Sequence, residues 1–320
     1  MIKKPKILVL RFSSIGDIVL TTPVIRCLKL QLDAEIDFLT KCEYKDLIIL
    51  NPNINEVLTL SNFSKTIDVL RRKDYDFVID LQKNILSLKI RLALRVKSYT
   101  FSKNNFKRFL LIYFGINLMR DHIVDRYFKA VKKLNVYNDN NGIDYFTNTT
   151  NVDFNVEQEY ICWCLSGSYE NKRLSVRQIK NVISSLHIPI LLIGGQSERE
   201  ISYRIVNSID SENVFNLCGE TTINESAFFI KKSKLVLTND TGMMHVASAF
   251  SMPIISFWGC TKPSLGFSAY LPNNKSKNII SNLSERPCSK HGSSCRFQSE
   301  GCIKEIDENV IIDTVESLLK

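Results

Sequence analysis

The chain has 320 residues, 44% of them hydrophobic and 23% charged, with a formal net charge of +9. That length exceeds one comfortable hydrophobic core, so two domains are expected, and the composition suits a water-soluble globular protein. The N-terminal lysines lead into an apolar run too short for a signal-peptide core. No run approaches the roughly 20 apolar residues that span a bilayer, so secretion and membrane insertion are both excluded by expectation.

Ile7–Leu10 is a strand-length apolar run that breaks into Ser13–Ser14–Ile15–Gly16–Asp17 and restarts as an amphipathic segment from Ile18 to Gln31. In an α/β protein the loop leaving the C-terminal end of the first strand is where ligands bind. Asp17 on that loop suits catalysis, and it equally suits capping of the helix that follows. Ile36–Leu39 and Phe77–Asp80 read as two further buried strands. From Leu81 to Arg120 there is no acidic residue but nine basic ones, namely Lys83, Lys89, Arg91, Arg95, Lys97, Lys103, Lys107, Arg108 and Arg120. The rest of the chain is formally neutral, so the positive excess belongs to one region. Such a region attracts phosphates, carboxylates or an anionic membrane surface. The run Phe109–Phe114 within it could rest on lipid, and a solvated basic face beside a buried helix would look the same. No nucleic-acid-binding motif accompanies it.

The polar, Asn-rich stretch from Asn138 to Asn155 reads as a linker. A second series of strands follows at Tyr160–Leu165, Ile190–Ile193, Val214–Asn216, Leu235–Thr238 and Pro253–Phe257. Helical patterns at Val176–Leu186, Glu198–Ile209 and Glu225–Lys232 alternate with them, and Glu305–Leu319 reads as a terminal helix. Strands alternating with helices imply parallel sheets. The expected architecture is therefore two doubly wound α/β domains, residues 1–150 and 151–320, facing a central cleft.

The second half has its own ligand-like turns. Asp240–Thr241–Gly242 follows a strand and opens an Ala-rich helix, whose free amides would suit a phosphate. Asp240 beside it could meet a ribose or cap the helix, and His245 falls in the first turn. Ser166–Gly167–Ser168 is a similar turn, with Lys172 and Arg173 close behind, and Gly194–Gly195 closes another strand. Together these turns point to a nucleotide. No G-x-G-x-x-G follows the first strand and no G-x-x-x-x-G-K-[ST] occurs, which argues against a standard NAD site and a P-loop. Four histidines with no H-x-x-x-H pair do not support a zinc hydrolase, and no G-x-S-x-G elbow is present. Nine cysteines, an odd number, point to reduced thiols in the cytoplasm. Cys288, Cys295 and Cys302 recur every seven residues and with Cys260 or His291 could bind zinc, but the spacing is no standard knuckle, so free structural thiols and no metal site are expected.

Ile7–Pro23 together with Asn239–Ala249 resembles bacterial glycosyltransferase family 9, the lipopolysaccharide heptosyltransferases. The likeness takes in Asp121–Tyr127, Ser166–Ser168 with Lys172, Leu192–Gly195, and Gly219 with Glu225, in the family's order. Leu174–Ser175 stands where the family usually carries Trp-Pro. The resemblance implies a GT-B enzyme of two Rossmann-like domains, with acceptor bound by the first and nucleotide-sugar by the second, in which the terminal helix often crosses back to the first. It implies inverting, metal-independent transfer of heptose from ADP-heptose to an anionic lipopolysaccharide-core acceptor, with no cofactor. By the same resemblance Asp17 is the general base. Ser166, Ser168, Lys172, Glu225, Asp240, Thr241, Gly242 and His245 fall to the donor, and Ser14, Gly16, Lys83, Arg91 and Arg120 to the acceptor. A cytoplasmic protein with peripheral contact at the inner face of the membrane is the expectation. A different nucleotide-sugar donor, an epimerase or hydrolase on the same architecture, and a non-catalytic binder of anionic lipid or polymer are the alternatives.

Overall fold

A computed structural model describes residues 4–149, 152, 154, 158–209, 212–297 and 301–320. By its internal contacts the chain divides into two units, Met1–Lys103 with Asp121–Phe146, and Asn104–Arg120 with Thr147–Lys320. Part of the expected linker and the expected junction at residues 150 and 151 lie outside the described residues.

The first unit is built on five parallel strands, β1 (Lys6–Leu10), β2 (Glu35–Thr40), β3 (Glu56–Thr59), β4 (Phe77–Asp80) and β5 (Lys97–Thr100), in the order β3-β2-β1-β4-β5. Ile7, Leu8, Val9 and Leu10 are all fully buried, as a central parallel strand covered on both faces requires. Its helices are α1 (Ile15–Val19), α2 (Thr22–Leu32), α3 (Phe63–Arg71) and α4 (Ile85–Leu94). The expected single helix over Ile18–Gln31 is two helices. Pro23 in the first turn of α2 has no N–H to continue an earlier helix, and the Thr21 and Thr22 hydroxyls donate to the Ile18 and Val19 carbonyls at the break.

Next come α5 (Asn105–Phe109), continued by a π-helical turn over Leu110–Phe114, and α6 (Ile123–Val131), which belongs to the first unit. Asn104–Arg120, expected within the first domain, belongs to the second. Leu111, Ile112 and Met119 are buried with Leu265 and Phe267, and the Arg108 guanidinium lies 5.6 Å from the Phe267 ring centre. Arg286 donates to the Tyr113 carbonyl and Arg296 to the Ile112 carbonyl. The basic stretch is thus divided, with Lys107, Arg108 and Arg120 in the second unit and the other six in the first.

The second unit has six parallel strands, β6 (Ile161–Cys164), β7 (Ile190–Ile193), β8 (Val214–Asn216), β9 (Leu235–Asn239), β10 (Ile254–Trp258) and β11 (Lys277–Ile280), in the order β11-β10-β9-β6-β7-β8. Its remaining helices are α7 (Val176–Ser185), α8 (Arg199–Val206), α9 (Ile223–Lys232), α10 (Gly242–Ala249) and α11 (Glu308–Leu319). The terminal helix α11 is grouped with this unit. Ile311 and Val315 are fully buried in the core formed by Trp163, Ile179, Val182 and Phe257. In each unit the strand order reverses beside the first strand, between β1 and β4 and between β6 and β9. An open parallel sheet binds ligands at the carboxyl ends of the strands at such a reversal. No helix among the described residues is long and apolar enough to cross a membrane.

Candidate functional site

The chain leaves β1 through Arg11, a residue only 7% exposed. Arg11 Nη1 donates to the Leu81 carbonyl at 2.6 Å and to the Tyr127 hydroxyl at 3.0 Å, and Nε donates to the Ser13 carbonyl at 2.8 Å. Nη2 is ion-paired to Asp17 Oδ2. Burial works against the Arg11 charge, but Asp17, Tyr127 and Asp80 outweigh it and its pKa rises. Asp17 stands in the first turn of α1, half-buried, and the Ser14 hydroxyl donates to the same Oδ2 at 3.4 Å. Asp17 does not cap α1, because Ser14 occupies the N-cap position and no side chain closes that end. A buried arginine therefore presents a carboxylate at the switch point of the first sheet. The signal for Arg11 in the sequence was a lone cation directly after an apolar strand, and for Tyr127 it was only the stretch shared with the family.

Across that switch point Asp80, fully buried at the end of β4, accepts from the Gln82 and Lys83 amides at 3.0 and 2.7 Å and from the Ser87 hydroxyl at 2.9 Å. Arg91, assigned by the sequence to the acceptor, stands 3.1 Å from the Asp80 carboxylate. Lys83, likewise assigned, is exposed but donates its ammonium to the Phe101 carbonyl at 2.7 Å. Both cations brace the loop after β4. Gly16 is buried within α1, Ser14 is exposed at its start, and Arg120 lies in the second unit.

In the second unit the matching switch point gathers most of the expected donor residues. Lys172 is 9% exposed, and its Nζ is 2.8 Å from Asp240 Oδ2. Asp240 ends the strand side of the turn into α10, whose N-cap Thr241 makes no side-chain capping bond. The N-terminal amides of α10 thus receive no bond from the N-cap side chain, and the Lys172–Asp240 pair stands one residue before that N-cap. Asn239, which opens the family-like motif but was given no role of its own from the sequence, donates from Nδ2 to the Ser166 carbonyl at 3.0 Å and to the Leu165 carbonyl at 3.3 Å, tying the ends of β9 and β6 together. His245, 5% exposed, lies one turn into α10. Ser168 is exposed on its turn.

Three residues have other work. Arg173 donates to the Gly167 carbonyl from Nε at 2.8 Å and to Glu198 at 2.8 Å, so it clamps the Ser166–Ser168 turn instead of reaching for a phosphate. A Cβ on Gly167 would come within 2.8 Å of Arg173 Cγ. Glu225 accepts from the Thr222 amide at 2.7 Å while the Thr222 hydroxyl accepts from the Glu225 amide at 3.3 Å, a capping box for α9. Ser175, at the position of the family's usual Pro, likewise forms a capping box with Gln178 for α7.

Cys288, Cys295 and Cys302, expected as free structural thiols, are gathered by the fold with Cys260. Cys260, Cys288, Cys295 and Cys302 place their sulfurs within 4.8 Å of one another, without a disulfide among them.

Comparison with known proteins gives the family. The family model described as "Glycosyltransferase family 9 (heptosyltransferase)" matches residues 64–299. Lipopolysaccharide heptosyltransferase 1 of Campylobacter coli is 25% identical over 98% of both chains. Lipooligosaccharide heptosyltransferase 2 of Campylobacter jejuni is 29% identical over a stretch covering 41% of each chain, so the alignment spans about two fifths of that relative's length. The Escherichia coli ADP-heptose lipopolysaccharide heptosyltransferase II structure superposes with a TM-score of 0.75 at 19% identity, covering 98% of both chains. Two Rossmann-like units of parallel strands are the GT-B fold, and with the match to the family model over most of its length this chain belongs to glycosyltransferase family 9.

Proposed function

We propose that the protein transfers a heptose from ADP-heptose to a hydroxyl of a lipopolysaccharide core, with inversion at the anomeric carbon. The observation that carries this reading is the Lys172–Asp240 pair at the β6/β9 switch point, next to the start of α10, whose N-cap side chain makes no capping bond. A diphosphate there meets one ammonium and several oriented N–H dipoles. These stabilise the negative charge that grows on ADP as the glycosidic bond breaks, so no divalent metal is called for at the phosphates. Lys172 has three N–H donors, so it can keep Asp240 and bind a phosphate oxygen together. Asp240 in turn holds the ammonium in place and faces the ribose.

Asp17 is the general base. Arg11 and Ser14 both contact its Oδ2, which leaves Oδ1 as the oxygen for the acceptor hydroxyl. Asp17 takes the hydroxyl proton as that oxygen forms its bond to the anomeric carbon, and the bond to the β-phosphate oxygen of ADP breaks. Positioned general bases of this kind contribute roughly 10²–10⁴-fold.

The acceptor is amphiphilic and anionic, and the Asn104–Arg120 segment suits such a molecule and the membrane that holds it. Phe106, Phe109, Tyr113 and Phe114 are 47–72% exposed there, among Lys107 and Arg120. Aromatic side chains beside cations are the composition of an interfacial contact with an anionic leaflet. A transfer assay with ADP-heptose and a core acceptor tests the reading. Product with inverted configuration, lost in Asp17→Ala while ADP still binds, is the expected result. Donor turnover without acceptor would favour a hydrolase or epimerase, and selective binding of UDP or GDP would replace the donor.

A further inference from the structure

Four cysteines from three separate stretches meet in the second unit. Cys260 follows β10, Cys288 and Cys295 lie on the long loop after β11, and Cys302 opens the turn before α11. Cys260, Cys288 and Cys302 are buried, and Cys295 is half-buried. The Cys260 and Cys302 sulfurs are 3.4 Å apart and those of Cys295 and Cys302 3.9 Å. These separations exceed the roughly 2.05 Å of a disulfide. They bracket the edge of a tetrathiolate tetrahedron, in which metal–sulfur bonds of about 2.3 Å put the sulfurs about 3.8 Å apart.

The surroundings also suit a charged cluster. The Phe297 amide donates to Cys295 Sγ at 3.4 Å, and the Cys288 amide donates to the Cys260 carbonyl at 2.8 Å. The first is an amide aimed at sulfur, the kind of outer contact that tunes a metal thiolate, and the second ties the Cys260 and Cys288 backbones together. Lys262, 3% exposed, sits two residues after Cys260 with its ammonium on the Ser281 carbonyl at 2.7 Å.

We infer that Cys260, Cys288, Cys295 and Cys302 form a closed structural site for one tetrahedral thiophilic divalent cation, of the class that zinc and iron(II) represent. Four protein ligands leave no open position, so the ion holds structure and takes no part in the transfer step. Its place in the fold shows what it holds. Gly292, between Cys288 and Cys295, has φ +78°, and a Cβ there would lie 2.5 Å from Lys172 Cγ and 2.8 Å from its Cδ. Asn171 packs beside Gly301, and Lys304 pairs with Glu170 at 3.2 Å. The metal loop thus forms the wall against which the Lys172 stem lies, which makes Gly292 a positioning residue. This second step rests on the reading of Lys172 as a diphosphate ligand.

The test begins with metal analysis of the full chain, purified under reducing conditions without added metal. About one zinc or iron per chain is expected, and elemental analysis tells which of the two is the native ion. Less than a tenth of either, together with four titratable thiols at these positions, would overturn the site. Cys295→Ser is expected to lose the metal, and the exposed Cys42→Ser to retain it; full metal content in Cys295→Ser would also overturn it. Should Cys295→Ser fail to fold, cobalt(II) exchange into the wild type reads the same ligands through the intense absorption of a tetrahedral tetrathiolate, and an octahedral spectrum counts against the site. Gly292→Ala is expected to keep its metal and weaken ADP binding about tenfold, the scale of one charge-assisted hydrogen bond displaced. Unchanged ADP affinity in Gly292→Ala overturns the positioning role while the metal result stands apart.

Discussion

Replacing Asp17 by asparagine separates its proposed work as a base from its ion pair with Arg11. The ion-pair contribution can be bounded from the contacts. Arg11 keeps neutral acceptors at Ser13, Leu81 and Tyr127, at 2.8, 2.6 and 3.0 Å. The buried guanidinium is therefore not orphaned, and the loss should fall well below the roughly 3–5 kcal/mol of a broken buried pair, nearer the 1.5–3 kcal/mol of one hydrogen bond to a charged group. That amounts to a melting-point fall of about 5 °C, too little to unfold the protein at assay temperature. Loss of the base should cost roughly 10²–10⁴ in kcat, or about 3–5 kcal/mol of barrier. Calorimetric ADP titration should be unaffected, because Lys172, Asp240 and α10 belong to the other unit. The assay is initial-rate transfer at saturating donor beside thermal melts and ADP titration of the same samples. An Asp17→Asn variant that keeps turnover within threefold of wild type would refute the base assignment. So would a loss of rate accounted for by weaker ADP binding.

Four further outcomes are expected. Lys172→Ala should weaken ADP binding by about 10- to 100-fold, since it removes a charged donor and leaves Asp240 facing a diphosphate; adding Asp240→Asn should recover part of the loss, and strict additivity in calorimetry would argue against the pair. Asp139, bound to Arg26 in the first unit, is held down to about 2 by hydrogen bonding from that guanidinium, which outweighs its burial. Its contribution to stability is complete above the ordinary carboxylate range near 4 and is lost as pH falls toward 2, so urea melts of wild type and Asp139→Asn should differ at pH 7 and converge at pH 2. Ile311→Ala should destabilise the second unit by about 2–5 kcal/mol in chemical denaturation, because its side chain is fully buried against the sheet core; a surface-like effect would return α11 to another role. Phe109→Ser with Phe114→Ser should reduce cosedimentation with anionic vesicles while leaving ADP affinity unchanged, and retained vesicle binding would dismiss this face as the contact.

The apolar runs of β1, β2, β4, β6, β7, β9 and β10 were legible because a strand buried on both faces must be continuously apolar, and the loops at their ends follow from that periodicity. The Asp17 and Asp240 turns were legible for the same reason. Of the four edge strands, β8 was read at Val214–Asn216, whereas β3, β5 and β11, sequences EVLT, KSYT and KNII, were not, since each carries polar residues that break the apolar run. Partnership between distant side chains also left no local mark. Whether Arg91 meets a ligand or Asp80, and whether Glu225 meets a ribose or the α9 amides, depends on which groups the fold sets within about 3 Å. The same holds for Asn104–Arg120, whose apolar side chains find Leu265 and Phe267 in the second unit. It holds most plainly for Cys260 and Cys302, 42 residues apart in the chain and in contact through sulfur. Residue type and period set local conformation and burial in this protein. Only the packing of strands far apart in sequence decided which charges and thiols became one another's neighbours.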